Sequence, residues 1–153
     1  MKILKLALIS AVAFFLLLLA FSLLIPSRVR ISRAVDTGAS RQALLPLVTT
    51  KAGWEKWNSL AKPAAGGDLV ITATSDSLVL ARFESKGHRL ENGIAIYEIK
   101  PGTLTVQWYM DFHLSWYPWE KFGSILYDKQ FGPVMQDDLK QLSTLANSSF
   151  NQP

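Results

Sequence analysis

From Leu6 to Ile25 the chain runs for 20 residues without a charged side chain, and between Ile3 and Ile25 only Lys5, Ser10 and Ser22 are polar. At about 1.5 Å per residue, a helix of this length crosses a hydrocarbon core about 30 Å thick. Residues 3–25 are therefore predicted to be a single transmembrane anchor. A cleaved signal peptide has a shorter apolar region, about 7–15 residues, followed by small residues at its cleavage site, whereas "LLIPSRV" follows here. Length favours the uncleaved anchor over the cleaved signal. Lys2 and Lys5 on one flank stand against Arg28, Arg30 and Arg33 on the other, so the positive-inside rule assigns no side of the cell membrane to the rest of the chain.

That rest suits one domain with a modest core. Setting aside Lys2 and Lys5 from the 16 basic residues leaves 14 against 12 acidic ones, spread along the chain. Phosphate-backbone binding needs a clustered basic stripe, so nucleic acid is not an expected partner. The absence of cysteine removes disulfides, thiolate catalysis and thiolate-ligated zinc, and is neutral about compartment.

The pattern after the anchor is α+β. "RVRISRAV", Arg28 to Val35, alternates and predicts a first strand. "ASRQALLPLV" predicts a helix capped by Thr37 or Ser40, with Leu44, Leu45, Leu47 and Val48 on its apolar face and Pro46 as a kink or stop. After "GWEKWNSL" and a turn-rich "AKPAAGGD", four strands fit between Asp68 and His113, with breaks at Ser75-Asp76, Lys86 to Gly93 and Pro101-Gly102. The last is the cleanest: Leu104, Val106, Trp108, Met110 and Phe112 face one way, and Thr103, Thr105, Gln107, Tyr109 and Asp111 the other. A strand apolar on one face only favours an antiparallel sheet, with Arg28 to Val35 as its edge beside Thr103 to Phe112. Phe131, Met135, Leu139, Leu142 and Ala146 then recur at helical spacing. Gly132-Pro133 either opens this closing helix or kinks a longer one from near Trp119.

A strand, a short helical pair, an antiparallel meander and a long closing helix follow the order of a helix-grip fold. "ASRQALLPLVTTKAGWEKWNSL" resembles the stretch after the first strand in membrane-anchored bacterial START-like proteins of the SRPBCC superfamily, the polyketide cyclase/dehydrase and lipid-transport group. "YPWEKFGSILYDKQFGPVMQDDLKQLSTL" is similar to their Pro-aromatic segment and closing helix, matching at Pro118, Asp128, Lys129, Gly132, Pro133 and Leu139. The resemblance implies a START-like domain over residues 28–147, with about five antiparallel strands around the C-terminal helix. Family members usually have six strands between the Trp pair and that helix. Here the span from Asp68 to Phe112 holds about four, with "AKPAAGGD" in place of the other two, so the implied cavity is reduced.

Residue chemistry gives catalysis little support. No nucleophile elbow, P-loop, dinucleotide fingerprint or zinc-protease motif is present. His88 and His113 lie far apart in sequence and are expected to be solvated rather than metal ligands. Asp137-Asp138 diverge on a helix and are expected to be favourable charge near its start. No catalytic residue, metal site or cofactor is therefore assigned. Trp54 and Trp57 fit a hydrophobic fastener under the sheet, with Glu55 and Lys56 in water, and secondarily the mouth of a pocket. "SWYPWEKF" fits either a plug at one end of the core or a segment resting at the bilayer interface. Three functions remain open. The first is a membrane-anchored module binding a small apolar molecule or lipid, with Trp57, Trp108, Met110, Phe112 and Met135 around the ligand; the others are a scaffold domain with a filled core and a cyclase-type enzyme.

Overall fold

The computed structural model describes residues 2–85 and 88–150. A helix α1 (Lys2–Leu24) is followed by strand β1 (Arg28–Thr37), helices α2 (Arg41–Thr49) and α3 (Lys51–Trp57), strands β2 (Asp68–Thr74), β3 (Leu78–Ser85), β4 (His88–Lys100) and β5 (Thr103–His113), and helices α4 (Pro118–Ser124) and α5 (Tyr127–Phe150). The five strands form one antiparallel sheet in the order β1-β5-β4-β3-β2. The chain thus crosses from one edge, β1, to the other, β2, and returns as a meander until β5 meets β1, with Arg28 opposite His113 and Thr37 opposite Leu104.

β1 pairs with β5 as its alternation predicts, running two residues past Val35 because Asp36 and Thr37 find partners in Thr105 and Leu104. β4 corrects a boundary. The expected break from Lys86 to Gly93 gives way to a strand that starts at His88, because Arg89 to Asn92 continue the ladder opposite Glu84 to Ala81. Polar residues there hide a strand whose outward positions face solvent. The turn between β4 and β5 uses Gly102 at φ +76°, a conformation that costs glycine no Cβ clash.

Helices α2, α3 and α5 cover one face of the sheet. Ser40, not Thr37, caps α2 by accepting from the Ala43 N–H, and Pro46 sits inside the helix without ending it. Thr50 both ends α2 and caps α3 through the Gly53 N–H. A Cβ on Gly53 would meet the Leu47 Cα at 2.7 Å and strike the Pro46 carbonyl, so only glycine lets the two helices turn this tightly. Leu44, Leu47 and Val48 of α2, Trp54 and Trp57 of α3, and Met135, Leu139, Leu142 and Ala146 of α5 close over Ile31, Val79, Ile94, Ile96, Val106, Trp108 and Met110 from the sheet.

The closing helix differs from both expectations for Gly132-Pro133. α4 is separate, opening with Pro118 in its first turn, and α5 starts at Tyr127 and carries Pro133 in its interior. Glycine at 132 matters because a Cβ there would strike the Arg33 guanidinium of β1; Arg33 donates to Asp128 at 2.8 Å, joining the first turn of α5 to the edge strand. With the helix starting at Tyr127, Asp137 and Asp138 lie in its middle rather than at its start. Asp138 is 7% exposed and accepts from the backbone N–H (2.9 Å) and hydroxyl (2.8 Å) of Ser59, clasping the loop after α3 to α5. Burial raises its carboxyl above the ordinary range, against the two Ser59 bonds.

Candidate functional site

The tryptophan pair is a fastener. Both indole rings are fully buried, and each N–H donates to a carbonyl at the end of α2, Trp54 to Val48 (2.5 Å) and Trp57 to Leu47 (3.0 Å). They satisfy groups that a helix end leaves without intrahelical partners. Trp108 of β5 meets them edge-on, its ring centroid 6.3 Å from that of Trp54 and 5.5 Å from that of Trp57, and its N–H donates to Asn92 Oδ1 at 3.3 Å. Glu55 is half-buried and Lys56 exposed.

These contacts relocate the expected ligand residues. Trp57, Trp108, Met110 and Met135 have no exposed surface and pack with one another in the core, so the space expected around them is filled with their own side chains. Phe112 differs. One step further along the alternation of β5, Phe112 is only partly buried at the margin of the core, its ring against those of Tyr127 and Phe131 of α5, with centroids at 4.9 and 5.1 Å.

Phe112 borders a half-open cavity of about 520 Å³ at that end of the domain. Its apolar walls come from Leu60 in the loop after α3, Phe83 of β3, Leu90 of β4, Phe112 of β5, Leu114 beyond it and Tyr127 of α5. The small residues Ala65 and Gly67, from the turn-rich segment that replaces two expected strands, complete the wall. Polar groups lie along it: Arg89, His113, Ser115 and Glu120, with the Ser115 N–H donating to Glu120 Oε2 at 2.8 Å. His113 is exposed; the His88 side chain lies outside the described residues. Sequence periodicity missed Leu60, Leu90, Leu114 and Tyr127 because they belong to four different segments. Among the described residues no group of three or more His, Asp or Glu side chains is placed to hold a metal ion.

The opposite face of the sheet carries an ion pair beside a smaller and more polar hollow of about 320 Å³, lined by Arg82, Glu91, Tyr109 and Asp111 among others. Arg30 of β1 donates bidentately to Asp111 of β5 at 2.7 and 2.6 Å and lies 4.2 Å from the centre of the Tyr109 ring. The hydrogen bonds from Arg30 hold the Asp111 carboxyl below its ordinary range, against desolvation. Cross-strand placement accounts for this pair, since Arg30 and Asp111 are register partners.

The aromatic segment before α5 is exposed. Trp116 and Trp119 are 63% and 64% accessible, which overturns the plug reading of "SWYPWEKF": the segment turns outward, away from the core it was expected to close. Tyr117 stacks on Trp119 at 4.8 Å and tilts against Trp116 at 4.7 Å.

No protein-family model matches the chain, and no curated protein matches it in sequence. Solved structures do match in fold. The chain is similar to a protein of unknown function from Staphylococcus aureus, with TM-score 0.58 and 10% identity over 82% of this chain and 98% of that one. It is similar to the di-domain ARO/CYC StfQ from the steffimycin biosynthetic pathway, with TM-score 0.56 and 5% identity over 82% of this chain and 52% of that one. A norcoclaurine synthase point mutant from Thalictrum flavum gives TM-score 0.54 and 10% identity over 81% and 97%. At these identities the likeness is one of fold, and the fold is the helix grip.

Proposed function

We propose that this chain is a membrane-anchored member of the SRPBCC superfamily whose domain holds one small apolar ligand or lipid chain in the cavity beside Phe112. The observation that carries the reading is the cavity itself. About 520 Å³ of mostly apolar space falls within the range of small-molecule sites, about 300–1,000 Å³. It lies between the sheet and the start of α5, and its neighbours in fold include a norcoclaurine synthase and an ARO/CYC protein. The modest volume suits one acyl chain or a small ring system better than a two-chain phospholipid. Of the residues proposed to meet the ligand, Phe112 belongs to the set expected from sequence, and Leu60, Phe83, Leu90 and Tyr127 replace the buried Trp57, Trp108, Met110 and Met135. Anchoring rests on α1, a 23-residue helix with an 18-residue stretch of mean hydropathy 2.7, long and apolar enough to span a bilayer.

Native mass spectrometry of the detergent-extracted full chain tests the ligand. A retained apolar adduct, displaced by an added fatty acid, supports the reading. A bare protein that also leaves a fluorescent fatty acid unbound would favour the scaffold reading, for which the filled tryptophan core is the supporting observation. Alkaline carbonate washing tests the anchor: the full-length protein is expected in the membrane pellet.

A further inference from the structure

The outward-turned segment presents six large apolar or aromatic side chains that the proposed cavity does not use: Trp116, Tyr117, Trp119, Phe122, Ile125 and Leu126 all stand exposed around α4. A patch of this kind is unusual on a water-facing domain and marks a surface that meets something apolar. Its position says what. The inward face of α4 consists of Pro118, Lys121 and Ser124, and Lys121 is 5% exposed. Its ammonium donates to the Ile25 carbonyl at 2.8 Å and to the Ser27 hydroxyl at 3.1 Å. Lys121 therefore pins α4 to the chain directly after α1, where a cation also complements the negative end of that helix.

The height of α4 follows. α1 is 23 residues long, about 34 Å at 1.5 Å per residue, slightly more than a hydrocarbon core of about 30 Å. Its last turn, with Leu23 and Leu24 exposed, thus ends where hydrocarbon gives way to headgroups. Only Ile25, Pro26 and Ser27 separate α1 from β1, so the domain is held close. The aromatic residues of this segment thus stand at the level of the layer that Trp and Tyr rings favour, on a helix that touches α1.

We propose that α4 and the aromatic turn leading into it form a foot seated in the interfacial layer of the bilayer that α1 crosses. The inference rests on the anchor reading above and adds a contact to it. Because Leu114 and Ser115, which lead into the foot, and Glu120, within it, line the cavity, the proposed ligand site stands beside the lipid surface.

The test uses the full-length chain in phosphatidylcholine vesicles whose acyl chains carry bromine either near the headgroup end or near the chain end. Trp54, Trp57 and Trp108 are fully buried and α1 contains no tryptophan, so contact quenching by lipid reads only Trp116 and Trp119. Headgroup-end bromine is expected to remove emission up to the share of two of the five tryptophans, chain-end bromine less. Trp116→Ala with Trp119→Ala, both at exposed positions, is expected to abolish the quenching. Carbonate-resistant vesicle association with no quenching overturns the foot and leaves the anchor standing. Loss of vesicle association overturns the anchor and the foot together. Emission that tracks the protein-to-lipid ratio rather than bromine places a second copy of the chain on this face, and also overturns the proposal.

Discussion

The space between the sheet and the helices has two halves with different contents, although the same strand runs through both. Where α2 and α3 lie over the sheet, residues Leu104 to Met110 of β5 meet Trp54, Trp57 and Leu139, and side chains fill the gap. Where the chain leaves α3 for the loop of Leu60, Ala65 and Gly67, the next residue of the same alternation, Phe112, faces a cavity. One apolar strand face therefore serves as core or as cavity wall according to what the chain lays over it. The tryptophans satisfy the end of α2 with their N–H groups and close their half; the alanines and glycines of the loop leave the other half open.

The firmest way to break this contrast is Leu139→Asp. An unpaired carboxylate at this fully buried position is expected to cost more than about 4 kcal/mol and to abolish the cooperative thermal transition seen by circular dichroism in detergent. An unchanged melting temperature would mean that α5 does not close the core. Trp108→Ala comes next, at about 3–5 kcal/mol, with affinity for a fluorescent fatty acid per folded molecule unchanged. Lost affinity at full stability would move the site into the filled half. Leu90→Ala, in the half-buried cavity wall, is expected to cost about 1–2 kcal/mol while weakening probe binding several-fold by fluorescence titration; equal affinity in parent and variant would leave the cavity without its proposed ligand.

The smallest effects are in acid, and the two buried aspartates give opposite signs. Asp111 has a carboxyl lowered by Arg30, so its stabilisation is present above the unfolded value, about 3.9, and is lost as pH falls through the lower folded value. Asp138 has a carboxyl raised by burial; its penalty is present above the folded value and is relieved as pH falls from there towards about 3.9. Denaturant melts of Asp111→Asn and Asp138→Asn across this range are expected to remove, respectively, an acid-side loss and a mildly acidic gain. Parallel curves for both variants and the parent would show neither group to be linked to folding.

Local rules carried much of the architecture. Alternation in β1 and β5 and the helical spacing from Phe131 to Ala146 are readable in residues close together, because each is decided by one element's own period, whereas the pairing of the first strand with the last joins residues far apart and was expected from the order of the elements. The start of β4 was hidden by Arg89, Glu91 and Asn92, whose polarity resembles a loop until Glu84 to Ala81 are set opposite them. The candidate site was legible only at Phe112. A cavity is the volume left over between segments, and no period in β5 announces that Gly67 rather than a bulky residue stands across from it. The outward turn of Trp116 and Trp119 escaped composition for a related reason: aromatic richness is the same in a plug and in an exposed rim, and only the attachment of Lys121 to Ile25 separates them.

The position of β1 carries a consequence for the order of folding. Strands β2 to β5 are joined by short turns and pair with their sequence neighbours, whereas the Arg30–Asp111 pair spans a separation of 81 residues. Contacts between sequence neighbours form sooner than those that must first close a long loop. β1, although synthesised first, is then expected to be the last strand to join, and until β5 emerges from the ribosome it waits unpaired beside α1. Folding φ-values near zero for Val29→Ala and Ile31→Val, against higher values in the β3–β4 and β4–β5 ladders, would bear this out, and high values in β1 would refute it. For the nascent chain, the edge of β5 is thus a docking slot reserved for a segment made about eighty residues earlier, and the time it stays vacant is the interval in which a foreign strand can occupy it.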